Sequence, residues 1–379
     1  MKAYLDNGAT TVVSKRVIEK MNEVFSELYG NPSSMHQMGV EAEKLIKEAK
    51  KIIAKAIKST PEELIFTSGG TEANNLAIQG YLKGSRKTHI ITTSIEHPSV
   101  LSIFQHYESK GYEVTYLNVD KEGHIDLKDL EDALSDETAL VSIMAVNNEI
   151  GAMQDLSAIS KIIKKKSKAL FHVDAVQALG KVECHVKKYG IDMMSISSHK
   201  IHGPMGVGVL YVKKGITIHP LFLGGGQQKA IRPGTENTPG VVGFAYACQE
   251  NMEAFSDNES HIVKLRDRFV KEVLEVPGSK LNGSLDAPHI VNISFPNMRG
   301  EVLLHLLESK EVFVSTGSAC SSKNKSYSHV LEAIGLDDKY KEGAIRFSFS
   351  KFTSEEELTY AIETLKSSIK ELDMIIQGR

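Results

Sequence analysis

Between about Glu63 and Val212 short β-rich runs alternate with helix-like ones, and this alternation constrains the fold more than anything else in the chain. The strand-like runs are "LIFT" (64–67), "HIITT" (89–93), "EVTYL" (113–117), "LVSIMAV" (140–146), "LFHVD" (170–174), "MMSIS" (193–197) and "VGVLYV" (207–212). Several are apolar almost throughout, as strands covered on both faces must be. Helical patterns such as "SVLSIFQHYESK" and "LSAISKIIKKK" separate them. This spacing predicts an α/β domain on a mostly parallel, seven-stranded sheet. Ligands of such sheets sit beyond the carboxyl ends of the strands.

The C-terminal part changes character. One long helix is expected from about Gly240 to Leu274, then a strand "HIVNISF" (289–295), a helix "EVLLHLLES" (301–309), a strand "AIRFSFS" (344–350) and a final helix from Ser354. "VPGSKLNGS" (276–284) reads as a turn-rich connection. The chain's 379 residues suit two domains. Residues 14–250 are expected to form the large α/β domain, and residues 1–13 with 251–379 a smaller α+β domain. The N-terminal "AYLDNGATT" is too short to fold alone and should pack across the boundary.

Composition narrows the function classes. Formal net charge is -3, so bulk electrostatics favours neither nucleic acid nor membrane as a partner. The lysine run from Lys161 to Lys168 reads as the solvated face of a helix. No apolar signal-peptide core follows "MKAYLDNGATT", and no run is long enough to span a bilayer. Cys184, Cys248 and Cys320 are too widely spaced for a disulfide framework or a zinc site. The expectation is a cytoplasmic protein with free thiols and no metal of its own.

Chemistry-bearing residues cluster after strand ends. Ser68-Gly69-Gly70-Thr71 makes a tight turn into a helix, whose free N–H groups suit a phosphate; a plain turn with a threonine cap fits as well. Asp174 ends an apolar strand, where a carboxylate calls for a cationic partner such as a protonated pyridine nitrogen, or else caps the next helix. Gln177 can turn the same way. In "SISSHKIHGPMG" (195–206) Lys200 is a Schiff-base candidate flanked by Ser197 and His199, or a surface lysine in a turn. Cys320 stands in "STGSACSSKNKS" (315–326), a small, polar and basic stretch with no apolar periodicity. A core cysteine does not look like that, and Lys323 and Lys325 favour its thiolate.

Taken in order, this set resembles enzymes of the large pyridoxal-phosphate fold, fold type I, of the aspartate-aminotransferase kind. The segments "YLDNGATT", "YGNPSSMHQMG", "IFTSGGTEANNLAI", "IEHPSV", "VNNEIGAMQD", "FHVDAVQALGK", "SSHKIHGP", "RPGTENTPG", "STGSACSS" and "IRFSFSKFT" narrow it. Together they resemble the cysteine desulfurases of the class-V aminotransferase family, in the nitrogen-fixation and iron–sulfur housekeeping branch. The resemblance implies pyridoxal 5'-phosphate bound covalently by Lys200, with Asp174 on the ring nitrogen and His97 stacked on the ring as a proton shuttle. It implies Gln177 on the ring hydroxyl oxygen, Asn148 beside the ring, and Gly70, Thr71, Ser197 and His199 on the phosphate. Thr235 would reach the phosphate of a neighbouring subunit, which implies a homodimer with shared sites. Arg346, helped by Asn31, would clamp the carboxylate of L-cysteine, and Cys320 would take its sulfur as a persulfide, leaving alanine.

The chain departs from the family at Gly70, Met205 and Pro233, where relatives often carry alanine, lysine and a small residue. It ends soon after its last helix with "IIQGR", as relatives that supply tRNA thiolation often do, whereas those serving an iron–sulfur scaffold often carry a longer tail. The sulfur-acceptor protein is therefore open between these two. Cys320 is also open to transient ligation of a cluster on a partner. Two other readings stand beside this one. A selenocysteine lyase, C–S lyase or aminotransferase needs Lys200 but no persulfide, and a scaffold protein that has lost its cofactor needs neither.

Overall fold

A computed structural model describes residues 1–316 and 327–377. The chain enters through a two-residue strand, β1 (Ala3–Tyr4). The central sheet follows: β2 (Leu64–Thr67), β3 (His89–Thr93), β4 (Glu113–Leu117), β5 (Thr138–Ser142), β6 (Leu170–Asp174), β7 (Met193–Ser197) and β8 (Gly208–Val212). Its order is β2-β8-β7-β6-β5-β3-β4, parallel except where β8 runs against β2 and β7. Every residue of β2, β3, β5, β7 and β8 is buried, the consequence of helices on both faces. The carboxyl ends of β2, β3, β6 and β7 therefore share one edge.

A three-stranded antiparallel sheet lies beyond it, with β9 (Lys280–Asn282) and β12 (Ala344–Ser348) flanking β10 (Ile290–Ser294). The remaining strand, β11 (Val312–Phe313), pairs in parallel with β1. Phe269, Phe347 and Phe349 centre a separate apolar core there, which Ala3 and Leu5 join from the N-terminus. The N-terminal segment does bridge the two regions. Thr11 Oγ1 donates to His199 O at 2.8 Å, while Gly8 N donates to Ser348 Oγ at 2.7 Å. Among the described residues no helix is long and apolar enough to cross a membrane.

Some expectations shift. The apolar run at 140–146 is a strand only to Ser142, because Met144 N turns to Glu96 Oε1 and lines the crevice instead. The expected helix from Gly240 to Leu274 is two helices, Thr238–Glu253 and Phe255–Val273, broken at Ala254 (φ -118°, ψ 24°). The first is packed against the central sheet's core and the second against the phenylalanine core, so the break serves two masters. "LGKVEC" forms no strand; residues 175–182 coil as tight helical turns. The turn-rich connection contains β9.

One loop is strained. Gln228, Lys229 and Ala230 have φ of 46°, 61° and 60°, a left-handed turn that costs non-glycine residues about 1–2 kcal/mol each. Side-chain bonds hold the first two, since Gln228 Oε1 accepts from Phe66 N and Lys229 Nζ donates to Glu62 O. Exposed Ala230 has no such tie. Ala230→Gly is expected to stabilise the protein by ~1 kcal/mol, net of the greater freedom glycine gives the unfolded chain. A urea midpoint that falls instead would contradict the strain.

Candidate active site

The residues that follow the carboxyl ends of β2, β3, β6 and β7 converge on one cavity of about 420 Å³. Each arrives for a local reason. The turn after β2 opens the helix Gly70–Leu82, whose N-terminus, at Gly70 and Thr71, has no side-chain cap. After β3, His97 caps the helix Pro98–Ser109 through its ring, with Nδ1 accepting from Ser99 N at 3.1 Å. Asp174 is the last residue of β6, and Ser197, His199 and Lys200 end or follow β7. Arg346 reaches the cavity from β12.

A hydrogen-bond chain ties two of these together. Asn74 Nδ2 donates both to Asp174 Oδ2 at 2.7 Å and to Ser99 Oγ at 2.9 Å. Ser99 Oγ lies 2.8 Å from His97 Nδ1, which is already an acceptor, so the hydroxyl donates and the neutral ring keeps its proton on Nε2. Asp174 Oδ1 accepts from Val176 N at 3.0 Å. The walls of the cavity desolvate His97 and hold its pKa below the usual histidine value, against the pull of Asp174.

Lys200 Nζ donates to the carbonyls of Gly8 and Ala9 at 2.6 and 2.7 Å. Burial, then the charge of Arg346, pulls its amine down to about 8, while Asp6 and Asp174 oppose the shift. A sizeable neutral fraction at physiological pH makes it a usable base and nucleophile. Arg346 donates from Nη1 to Asn148 O and from Nη2 to Asp6 Oδ1, both at 2.8 Å, and its buried Nε has no partner. Ser197 Oγ is likewise buried and unpartnered. The site thus presents a carboxylate, a tuned amine, a guanidinium and orphaned donors around one space.

Gly70, Thr71, His97, Asn148, Asp174, Gln177, Ser197, His199, Lys200 and Arg346 all line this cavity. Thr235 and Asn31 do not. Thr235 is exposed, and exposed Asn31 shapes its own turn by accepting from Ser33 N at 2.9 Å. Cys320 lies outside the described residues. Both flanks of its stretch are nevertheless tied to the cavity wall. Ser315 pairs with Arg346 through two backbone bonds of 2.7 and 3.2 Å, and Ser328 Oγ donates to Glu149, another cavity residue. Sequence reasoning missed Gly8 and Ala9, which act through backbone oxygens, and also Asn74 and Glu149. For Asn74 a signal existed, a polar residue among the apolar "ANNLAI" positions of a helix.

The buried histidines around this edge make stability depend on pH. His172, between Ser142 Oγ and Ser195 Oγ, is pushed by burial down to about 3, His202 likewise to about 3, and His289 well below its ordinary value. Below pH ~6.5 the unfolded chain binds protons that the folded one refuses, so each histidine withdraws ~1.4 kcal/mol per pH unit. Glu96, pushed by burial up to about 8, and Glu149, also raised, run the opposite way. Their contribution is full below the unfolded carboxyl value and is lost as pH rises through the folded one. His199, pushed down to about 4, and Lys181, held well below its ordinary range, act in the same sense as these histidines, so the apo-protein is expected to lose several kcal/mol of stability from pH ~6.5 to pH ~5. Urea midpoints that stay flat across that interval would contradict this.

Comparison with known proteins agrees with this geometry. Residues 3–360 match the family model for aminotransferase class-V. The chain is 43% identical over 379 residues to the cysteine desulfurase IscS of Dictyoglomus turgidum, covering 99% of this chain and 96% of that one. It is 44% identical over 375 residues to the mitochondrial cysteine desulfurase of Candida albicans, covering 97% and 76%. Among solved structures, a NifS-like protein superposes with a TM-score of 0.93 at 40% identity, over 98% of this chain and 100% of that one. SspA in complex with cysteine gives 0.82 at 33%, over 93% and 100%. The chain belongs to the aminotransferase class-V family and, within it, to the cysteine desulfurases.

Proposed function

We propose that this chain converts L-cysteine to L-alanine with pyridoxal 5'-phosphate and takes the sulfur as a persulfide on Cys320. The observation that carries the reading is the meeting of Lys200, Asp174 and Arg346 in one cavity, whose wall residues Ser315 and Thr316 lead into the Cys320 stretch. The residues fit the cofactor. Ser197 Oγ is a buried donor without a partner, and the uncapped N-terminus of the helix Gly70–Leu82 opens beside it, as a phosphate requires. Asp174 offers a buried carboxylate for a protonated ring nitrogen.

Gly70, Thr71, Ser197 and His199 would hold the phosphate, Asp174 the ring nitrogen, Gln177 the ring hydroxyl oxygen, and His97 and Asn148 the faces and edge of the ring. When bound, the cofactor draws electrons from the α-carbon of an amino acid joined to it. Lys200 Nζ then holds and moves the α-proton, its lowered pKa matching that task. The Arg346 guanidinium orients the substrate carboxylate, with its free Nε as an available donor. Cys320 Sγ attacks the substrate sulfur, forming an S–S bond as the C–S bond breaks; thiol and cysteine become persulfide and alanine.

Apolar side chains left in the open, including Phe25, Tyr29, Met35 and Leu223, support a homodimer in which exposed Thr235 serves the partner's phosphate. Residues 14–250 would be the cofactor-binding domain, and 1–13 with 251–379 the smaller one. An iron–sulfur scaffold or a tRNA-thiolating enzyme would receive the sulfur, in the cytoplasm. The test is to load the protein with pyridoxal phosphate, add cysteine and read Cys320 by mass spectrometry. One added sulfur atom with stoichiometric alanine is expected; pyruvate and ammonia without a persulfide would favour a C–S lyase.

A further inference from the structure

Behind the cavity wall lie two polar side chains, Lys181 and His289, that none of these roles uses. In the helical turns after Asp174, Lys181 follows Gln177 by four residues, so the two side chains share a face. Lys181 Nζ donates to Gln177 Oε1 at 3.3 Å, and His289 Nε2, from the residue before β10, reaches the same oxygen at 3.3 Å. On its other side Gln177 Nε2 donates to Gly8 O at 2.9 Å. That same carbonyl accepts from Lys200 Nζ. Gln177, Lys181 and His289 are only 4%, 8% and 0% exposed.

A side-chain amide can be turned over without changing shape, so its partners decide its orientation. Gly8 O can only accept and must face the NH₂ group. Lys181 and His289 bring N–H groups to the opposite edge, which must then be the carbonyl. With its proton on Nε2, His289 leaves only a bare lone pair on its unpartnered Nδ1, a milder defect than a buried orphan N–H. Lys181 is unusual in having cations, Lys200 and Arg346, as its charged neighbours; burial pushes its amine well below the ordinary lysine range. Whichever protonation state it holds, the amine carries N–H groups for the Gln177 oxygen.

We propose that Lys181 and His289 are positioning residues, which lock the Gln177 amide with its NH₂ toward Gly8 and the cavity. The proposal rests on the reading of Gln177 as the partner of the cofactor's ring oxygen. Without the two donors the amide is free to turn, setting its oxygen against the Gly8 carbonyl and withdrawing the N–H from the ring.

The test measures pyridoxal phosphate binding to the apo-protein by equilibrium dialysis, and the pH titration of the bound cofactor's absorbance. Gln177→Ala and Lys181→Met are each expected to weaken binding roughly tenfold. Both should move the absorbance midpoint in the same direction, and the double variant should bind no worse than Gln177→Ala alone. Native apo-protein melting in Lys181→Met shows that the fold is kept. His289→Gln, which keeps an N–H, should bind as the unmodified protein does, whereas His289→Leu should match Lys181→Met. Should Lys181→Met not fold, the two His289 variants decide alone. Native affinity and titration in Lys181→Met, or defects that multiply in the double variant, overturn the proposal while leaving Gln177's role standing. Native binding by Gln177→Ala overturns both.

Discussion

Lys200→Ala is expected to lower alanine formation from cysteine at least ~10³-fold, with the apo-protein still folded. Lys200 Nζ is held by the two carbonyls of Gly8 and Ala9, at a place no other described amine occupies. Lys181 lies behind the wall, bonded to Gln177, and a guanidinium as a class gives up no proton. Lys200→Arg should fail equally for that reason, although it keeps the charge. A small external amine should restore part of the activity of Lys200→Ala and none of that of Lys200→Arg. Alanine formation within tenfold of the native rate in Lys200→Ala would remove the lysine from the mechanism.

Cys320→Ala should abolish the persulfide and lower sulfide release about 10²-fold, while affinity for pyridoxal phosphate stays native. The two effects separate because the residues proposed to hold the cofactor, Gly70, Thr71, His97, Asn148, Asp174, Gln177, Ser197, His199 and Lys200, are all distinct from Cys320. The other thiols make internal controls. Cys184 is buried and its thiol is pushed up to about 12, and buried Cys248 is raised as well, so neither offers a thiolate. Replacing either with alanine should leave persulfide formation intact. Full sulfide release by Cys320→Ala would exclude a persulfide on that residue.

Much of the fold is legible in the chain, for a physical reason. β2, β3, β6 and β7 coincide with the quoted runs because strands sandwiched between helices admit little else, and the half-exposed edge strand β4 is marked instead by its β-branched and aromatic residues. Lys200, Asp174 and His97 are legible because a charged or imidazole side chain at a strand's carboxyl end has few structural uses. Other features leave no such mark. Ala254 breaks a helix because two cores compete for its flanks, and "MEAFSD" contains neither glycine nor proline to announce it. The carbonyls that cradle Lys200 are backbone, which no letter encodes. Asn74 links Asp174 to His97 only through Ser99, a partner twenty-five residues away in sequence.

Asn7 and Gly8 bond to Ser348 across 341 and 340 residues, and β1 waits for β11 to pair. During synthesis the central sheet can collapse once residue 212 has left the ribosome, hundreds of residues after the N-terminus and well before β12. Gly8 can already meet Gln177 and Lys200 of that sheet, but its bond to Ser348 must wait for β12, and closing so long a loop is slow relative to local contacts. Catalytic competence is thereby one of the last properties a nascent chain acquires, and a chain stopped short of β12 carries the sheet and its lysine without Arg346 and without the Ser348 anchor of Gly8.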